Sequence, residues 1–224
     1  GKPDSARASY EQAALLEEPP VVAMLKLAQL SIRQGAWAEA RQYIADAESM
    51  AVTDSQPMQV LQVERLLEVR LGRIERAIQL TLDQDVFNEA VLTPVDRSFN
   101  LNVPLIMYNM MLDRLDIADQ LLSETNAGLQ PPLNQFLSFI EALLEAERGE
   151  FERAEAAVQR GADAVEQFNA EYLAYQVPLI RGEIERMRGN YAQAANYFSE
   201  AVELTRRSVK VNNLSNELSE MYGY

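Results

Sequence analysis

Apolar residues along this chain recur every three to four positions, the spacing that places side chains on one face of an α-helix. The segments 21–34, VVAMLKLAQLSIRQ, and 133–148, LNQFLSFIEALLEAER, both show this spacing, and both follow a pair of prolines. Proline suits the start of a helix because its missing N–H would have no partner there. No stretch alternates apolar and polar residues between the turn residues that β-hairpins need. The pattern therefore predicts an all-α fold.

The helical pattern repeats along the chain, and each copy has a turn residue followed five positions later by alanine. Successive turn residues lie 34, 37, 41, 36 and 40 residues apart, a period that is typical of stacked helix pairs. Two and nine positions after the turn most copies carry a bulky apolar side chain, and at twelve most carry a small one. These offsets share one helical face and predict a packed second helix. The turn and alanine positions are Gly1 and Ala6, Gly35 and Ala40, Gly72 and Ala77, Asp113 and Ala118, Gly149 and Ala154, and Gly189 and Ala194.

The turn glycine, the aromatic residue two positions later and the alanine resemble the tetratricopeptide repeat. The best copies are GAWAEARQYIADAESM, GEFERAEAAVQRGADA and GNYAQAANYFSEAVEL. This family also favours a small residue seven positions before the turn, which Ala28, Ala142 and Gly182 satisfy, whereas Arg65 and Ile106 depart from it. The resemblance spans nearly the whole chain and is weakest between about 57 and 125. It implies a right-handed α-solenoid, a superhelix of antiparallel helix pairs.

We predict a single domain over residues 1–224. A half repeat occupies 1–18, and 208–224 forms a capping helix or the start of a further repeat. Because the first copy begins at its turn and the last segment has an apolar helical face, we expect a fragment of a longer protein. Complete repeats are predicted at 21–53, 57–92, 98–126, 132–168 and 171–207.

The composition excludes several classes of function. The 224 residues include no cysteine and no histidine, so disulfides and thiolate chemistry are ruled out, and the usual general base and the commonest metal ligand are missing. We predict no catalytic residues, no metal and no cofactor. A formal net charge of −14 repels phosphate backbones, which argues against direct nucleic-acid binding.

The sequence also bears on location. No apolar run approaches the roughly 20 residues that span a bilayer, so we expect a soluble protein without membrane insertion. We favour the cytoplasm and leave a periplasmic or membrane-tethered location open.

The resemblance implies a function as well as a fold. In the tetratricopeptide repeat family the first helices line a concave groove that binds peptides or helices of partner proteins. This implies a non-catalytic protein–protein interaction scaffold. The alternative is a ligand- or partner-sensing regulatory domain of a larger bacterial signalling or transcription-regulatory protein. The long interval between successive turn residues resembles the repeats of such proteins. A small molecule would then be a further partner. Projected onto this chain, the groove positions are Gln29, Ile32, Arg33, Gln62, Leu66, Arg70, Asn100, Met107, Met110, Met111, Phe136, Phe139 and Arg186.

Two features of these positions suggest recognition chemistry. Arg33 and Arg70 both lie two residues before a turn glycine. They are therefore predicted to form a basic ladder, a row of guanidinium groups that binds carboxylate or phosphate groups. The alternative is that the two arginines only stabilise the C-termini of their helices. Met107, Met110 and Met111 follow helical spacing and predict an adaptable apolar face. The alternative for the methionines is an inter-repeat core.

Overall fold

The computed structural model describes residues 3–16, 20–53 and 55–209, and this part of the chain is built from helices and turns without a strand. The all-α solenoid fold predicted from the sequence is confirmed. From residue 210 on, the predicted capping segment lies outside the described residues. The α-helices are α1 Pro3–Ala14, α2 Val21–Arg33, α3 Trp37–Ser49, α4 Gln56–Arg70, α5 Ile74–Val91, α6 Pro94–Met111, α7 Leu115–Gly128, α8 Leu133–Phe136, α9 Ser138–Glu147, α10 Phe151–Gln167, α11 Gln176–Met187 and α12 Tyr191–Val209.

Each predicted repeat corresponds to two successive helical stretches. The pairs are α2 with α3, α4 with α5, and α6 with α7, followed by α9 with α10 and α11 with α12. The fourth repeat has a divided first helix, because the short helix α8 precedes α9. A turn of 3-10 helix at Glu171–Leu173 precedes the fifth.

The contacts divide the chain into two compact units, Gly1–Pro104 and Leu105–Tyr224. The sequence analysis predicts one domain, so this division is a feature that the repeat pattern does not reveal. The boundary falls within α6 at Pro104, where proline removes a hydrogen bond from the helical ladder.

The turn between the helices of a pair follows one hydrogen-bonding scheme. Gly35 has a φ of 73°, which glycine adopts without steric cost. Its N–H donates to the carbonyl of Ile32, and the next N–H, that of Ala36, donates to the carbonyl of Ser31. This is the Schellman arrangement, which satisfies the last carbonyls of the first helix. The same two bonds recur at the other turns, where the corresponding positive φ angles belong to Gly72, Asp113, Gly149 and Gly189.

The helices of a pair approach closely where one of them carries a small residue. The five alanines that follow the described turns, from Ala40 to Ala194, are all buried. In the second unit a Cβ placed on Gly161 of α10 would lie 2.6 Å from Cε1 of Phe139 on α9, and one placed on Gly182 of α11 would lie 2.5 Å from Cε1 of Phe198 on α12. In both of these helix pairs a phenyl ring therefore occupies the space above a glycine.

The second complete repeat departs from this small-residue contact. Arg65 of α4 stands where the first, fourth and fifth repeats have a small residue. Its Nη1 donates to Oε1 of the buried Gln84 on α5, at 3.1 Å. Thr81 is also buried, and its hydroxyl donates to the carbonyl of Ala77. A polar contact between the helices thus accounts for the weak match of this copy to the repeat pattern.

The residue that follows the repeat alanine forms an ion pair with the next repeat in four cases. In the first unit this residue is an arginine and its partner is a glutamate, whereas in the second unit the signs are exchanged. Apart from Arg41–Glu68, whose carboxylate is buried, these pairs are partly exposed and add at most about 1 kcal/mol each, so they chiefly determine which repeat surfaces are complementary. The pairs are Arg7–Glu39 at 2.6 Å, Arg41–Glu68 at 3.7 Å, Asp119–Arg148 at 3.0 Å and Glu155–Arg181 at 3.3 Å.

We predict that Gly161→Ala and Gly182→Ala each lower the free energy of unfolding by about 1–3 kcal/mol, because the added methyl group forces the phenyl ring to move. Gly128→Ala is the matched control. Its Cβ would have no neighbour within 4 Å, and its stability should stay within about 0.5 kcal/mol of the wild type. Urea unfolding followed by circular dichroism measures all three variants. Equal stability of the three would contradict the close-contact explanation.

Candidate functional site

In the first unit the first helices of two repeats lie side by side. Helices α2 and α4 pack against each other, and Leu25, Ile32, Val63 and Leu67 belong to their shared core. Other faces of the two helices carry exposed basic residues and half-buried amide and apolar residues. We call these residues the α2–α4 surface: Lys26, Gln29, Arg33, Gln62, Leu66 and Arg70.

The α2–α4 surface is basic although the chain is acidic. Helix α2 contains no Asp or Glu, and α4 contains only Glu64 and Glu68. Glu64 pairs with Arg76 of α5 at 3.2 Å. Glu68 is buried and lies 3.4 Å from Arg73. Because both carboxylates bind arginines outside this surface, its own charges are those of Lys26, Arg33 and Arg70.

Three of the predicted groove positions are core residues instead. Ile32 packs in the apolar core of α2, α3 and α4. Met110 is buried on α6, and Phe139 is buried with its ring against the backbone of Gly161. A first helix packs against the second helix of its own repeat and also against the neighbouring repeat. Its buried face is therefore wider than a single helix–helix contact requires. These three residues present no accessible surface to a partner.

The other predicted positions outside the α2–α4 surface remain accessible to different degrees. Met111 is exposed and Met107 half-buried. Asn100 is exposed, and its Nδ2 donates to the carbonyl of Asp96 at 2.7 Å. Phe136 is half-buried and contacts the ring of Phe168 edge to face, with centroids 6.5 Å apart. The methionine series is therefore split between core and surface and does not form one continuous face.

In the second unit α9 and α11 are neighbouring first helices, and their corresponding surface is acidic. Arg186 is exposed, and its Nε donates at 2.7 Å to Oε2 of the buried Glu183. Glu147 takes the position two residues before the turn that Arg33 and Arg70 take in the first unit. Glu147 is exposed, but the neighbouring protein removes part of its hydration. This partial desolvation raises the pKa of Glu147, the positive charge of Arg186 opposes that shift, and the negative charges of Glu183 and Asp113 add to it.

Sequence reasoning missed Glu147, although its signal was present in the sequence. The offset that paired Arg33 with Arg70 selects Glu147 in the fourth repeat. Applied to every repeat, this offset would have shown that a basic ladder does not continue into the second unit.

Two kinds of feature are absent from the described residues. Among residues 3–16, 20–53 and 55–209, no three acidic side chains are placed to hold a metal ion together. No helix in the same residues combines the length and the apolarity required to cross a membrane.

Comparisons with known proteins give one family match and several structural similarities. A family model described as "Tetratricopeptide repeat" matches residues 1–52 and 140–208. Among solved structures, BtubC (BKLC) from P. vanneervenii aligns over 94% of this chain and 92% of its own, with a TM-score of 0.57 at 14% identity. A structure described as "MamA MSR-1 C2" aligns over 84% of this chain and 98% of its own, with a TM-score of 0.39 at 16% identity. No curated protein matches the sequence.

We predict that Glu147→Gln stabilises the protein at neutral pH. A carboxyl group whose pKa is raised in the folded state binds its proton more tightly there than in the unfolded chain, so folding becomes less favourable as the pH rises through the interval between the two pKa values. Glutamine removes this dependence. The melting temperature of the variant should exceed that of the wild type at pH 7, and the difference should shrink as the pH falls from the raised pKa toward about 4.5, the ordinary value of an unfolded glutamate.

Glu166→Gln is the control for this measurement, because Glu166 is an exposed residue of α10 that takes no part in the interactions of Glu147 with Glu183, Arg186 and Asp113. It should show no such pH-dependent difference. A Glu147→Gln variant that is less stable than the wild type at pH 7 would contradict the assignment.

Proposed function

Because the chain belongs to the tetratricopeptide repeat family, we propose that it is a non-catalytic scaffold that binds a peptide or a helix of a partner protein on its first helices. The main support for this proposal is the α2–α4 surface. Its residues lie on two adjacent helices and combine Lys26, Arg33 and Arg70 with two amides and one leucine. Repeats of this family generally mediate contacts between proteins.

The chemistry of the α2–α4 surface suits an acidic segment of a partner. Guanidinium groups bind carboxylates through two parallel hydrogen bonds, which Arg33 and Arg70 could supply. The amides of Gln29 and Gln62 both donate and accept, so they are suited to the backbone of a bound segment. Leu66 is half-buried and packs against the core of the unit, and its accessible part offers an apolar contact. The site proposed from these observations therefore favours a segment with carboxylates and at least one apolar side chain.

The net charge of the whole chain would add selectivity to the proposed binding. A net charge of −14 repels acidic proteins at long range, while the local basic surface attracts a carboxylate that reaches it. Such a combination favours a partner with a confined acidic segment over a uniformly acidic one.

A second candidate is a sensing domain of a larger bacterial regulatory protein. We propose it as the alternative because four of the five turn-to-turn intervals exceed 34 residues, and because the second unit holds Glu147, Glu183 and Arg186 as an acidic cluster around one guanidinium group. A cationic small molecule would suit that cluster. A thermal-shift screen of small amines tests this candidate, since binding to the folded state raises the melting temperature.

We predict that the double variant Arg33→Glu with Arg70→Glu loses at least about tenfold in affinity for the partner, because two attractive charges become repulsive ones. The partner is first identified by affinity capture and mass spectrometry with the wild-type chain, and its affinity is then measured by isothermal titration calorimetry.

The matched control is Arg206→Glu with Arg207→Glu, which makes the same change of charge at the exposed end of α12. It should bind the partner like the wild type. Unchanged affinity of the Arg33/Arg70 variant, with native helicity by circular dichroism, would reject the α2–α4 surface as the binding site.

A further inference from the structure

Helix α5 of the first unit has a reversed polarity in its second half. Between residues 81 and 88 the buried side chains are polar, and the large apolar side chains are exposed. Leu82 is 43% exposed, Val86 70% and Phe87 36%. We call these three residues the outer α5 face. The buried residues of the same stretch are Thr81, Gln84, Asp85 and Asn88.

Hydrogen bonds stabilise the polar side of this stretch. The carboxylate of Asp85 accepts from Nε and Nη2 of Arg97, with the shortest distance at 2.6 Å. Oε1 of Gln84 accepts from Nη1 of Arg65 at 3.1 Å. A buried polar group with a partner costs little free energy, so this side is stable as it stands. The outer α5 face has no such compensation, because apolar surface in water is unfavourable.

The other complete repeats have small or polar residues at the positions of Leu82 and Val86. These positions lie ten and fourteen residues after the turn residue, here Gly72, so they are one helical turn apart on one side of the helix. The matching residues of α3, α7, α10 and α12 are also exposed. They are Ala45 and Ser49, Ser123 and Ala127, Gln159 and Asp163, and Ser199 and Glu203. The exposed apolar pair is therefore a property of α5 and is not required by the repeat fold.

Acidic groups lie along the outer α5 face. Helix α5 contains four acidic residues and one basic residue, Arg76, which pairs with Glu64 of α4 at 3.2 Å. Asp83 follows Leu82 in the chain and accepts from the neutral amide of Gln79 at 2.8 Å, a contact that leaves its negative charge in place. Helical spacing puts two further carboxylates on the side of Leu82 and Val86. These are Glu75 and Glu89.

The arginines that flank α5 are bound to carboxylates. Arg73, just before the helix, lies 3.4 Å from the buried Glu68. Arg97 of α6 binds Asp85 and also pairs with Glu89 at 3.3 Å. One guanidinium group thus serves two carboxylates. Ion pairs therefore reduce the negative charge beside the outer α5 face without reversing it.

The helix ends near the outer α5 face do not reverse that charge either. The positive N-terminus of α5 lies at Ile74, about 12 Å before Leu82 along the helix axis. Helices α4 and α5 are antiparallel, so the positive end of α4 accompanies the negative end of α5 and the two offset each other. The N-terminus of α6 carries Asp96 in its first turn. The surroundings of the face are therefore negative.

We propose that the outer α5 face docks a basic amphipathic helix of another protein. Apolar residues of that helix, spaced by three or four positions, would cover Leu82, Val86 and Phe87, and a lysine or arginine would pair with Asp83. Charge argues against a second copy of this chain as the occupant. In a symmetric contact of two α5 helices the same acidic groups would face each other, and each chain has a net charge of −14.

This site goes beyond the proposed function because it lies on a second helix, whereas the α2–α4 surface lies on two first helices. The two surfaces also differ in charge. A scaffold with both surfaces would bind an acidic segment on one and a basic helix on the other.

A synthetic probe tests the proposal. The probe is a fluorescein-labelled helical peptide of about 14 residues with leucines on one side and lysines on the other. It is titrated with the full chain and its binding is followed by anisotropy. The comparison peptide has the same composition in a scrambled order, so it has the same charge but no apolar side. We expect the Leu/Lys helix to bind at least about tenfold more tightly than the scrambled peptide.

Two pairs of apolar variants locate the binding. Leu82→Gln with Val86→Gln should weaken binding of the Leu/Lys helix about tenfold, because two apolar contacts are lost. The matched control is Ile117→Gln with Val202→Gln, which makes the same kind of change at exposed positions of α7 and α12. The control should bind the Leu/Lys helix like the wild type.

A pair of charge variants tests the role of Asp83. Asp83→Asn should weaken binding of the Leu/Lys helix about threefold, because one attractive charge is lost. Asp163→Asn removes the same charge from α10, where Asp163 accepts from Gln159 at the same distance of 2.8 Å, and it should leave the affinity unchanged. Because both variants alter the net charge equally, a difference between them reports the local contact.

The variant Arg33→Glu with Arg70→Glu should not weaken binding of the Leu/Lys helix. Failure of the outer α5 face is therefore distinguishable from failure of the proposed function at the α2–α4 surface.

Three results would overturn the proposal. The first is equal binding of the Leu/Lys helix and its scrambled form, which indicates charge attraction alone. The second is wild-type affinity of the Leu82/Val86 variant with native helicity by circular dichroism. The third is a wild-type dimer in analytical ultracentrifugation that this variant converts to a monomer, because the outer α5 face would then bind a second copy of the chain.

Discussion

The structure depends on the short distance between the two helices of each repeat, which small side chains permit. Buried alanines follow the turns, and in the second unit phenyl rings lie directly above Gly161 and Gly182. Such contacts fix how far one helix can rotate against the other. Interiors packed this densely do not deform continuously, so these few contacts constrain the orientation of the first helices that make them.

The sequence predicted much of the fold because its strongest signals are local. A glycine that ends a helix and an alanine five residues later both report backbone geometry, and the repeat bounds follow from them. The accessible side chains of the first helices were harder to predict, because periodicity identifies the centre of a buried helical face but not how many residues beside that centre are buried too. Ile32 and Phe139 are buried for this reason. The division near Pro104 depends on contacts between distant residues, which a repeat pattern does not encode.

In the first unit charges are arranged by helix type. The first helices α2 and α4 end with an arginine in the last turn, whereas the second helices α3 and α5 end without a basic residue. An arginine in the last turn lies close to the negative end of its helix dipole. This arrangement does not extend to the second unit, where the first helix α9 ends without a basic residue and the second helix α12 ends with two arginines.

The exchange of sign in the ion pairs between repeats has a consequence for modularity. Arg41 of the first unit faces Glu68, while Asp119 of the second unit faces Arg148. The partners also stand at different offsets from their turns, since Glu68 lies four residues before Gly72 and Arg148 lies one residue before Gly149. Each junction thus has its own pairing, and the ion pairs distinguish one junction from another although the repeats share a fold. Repeat order is thus part of the information that the sequence carries.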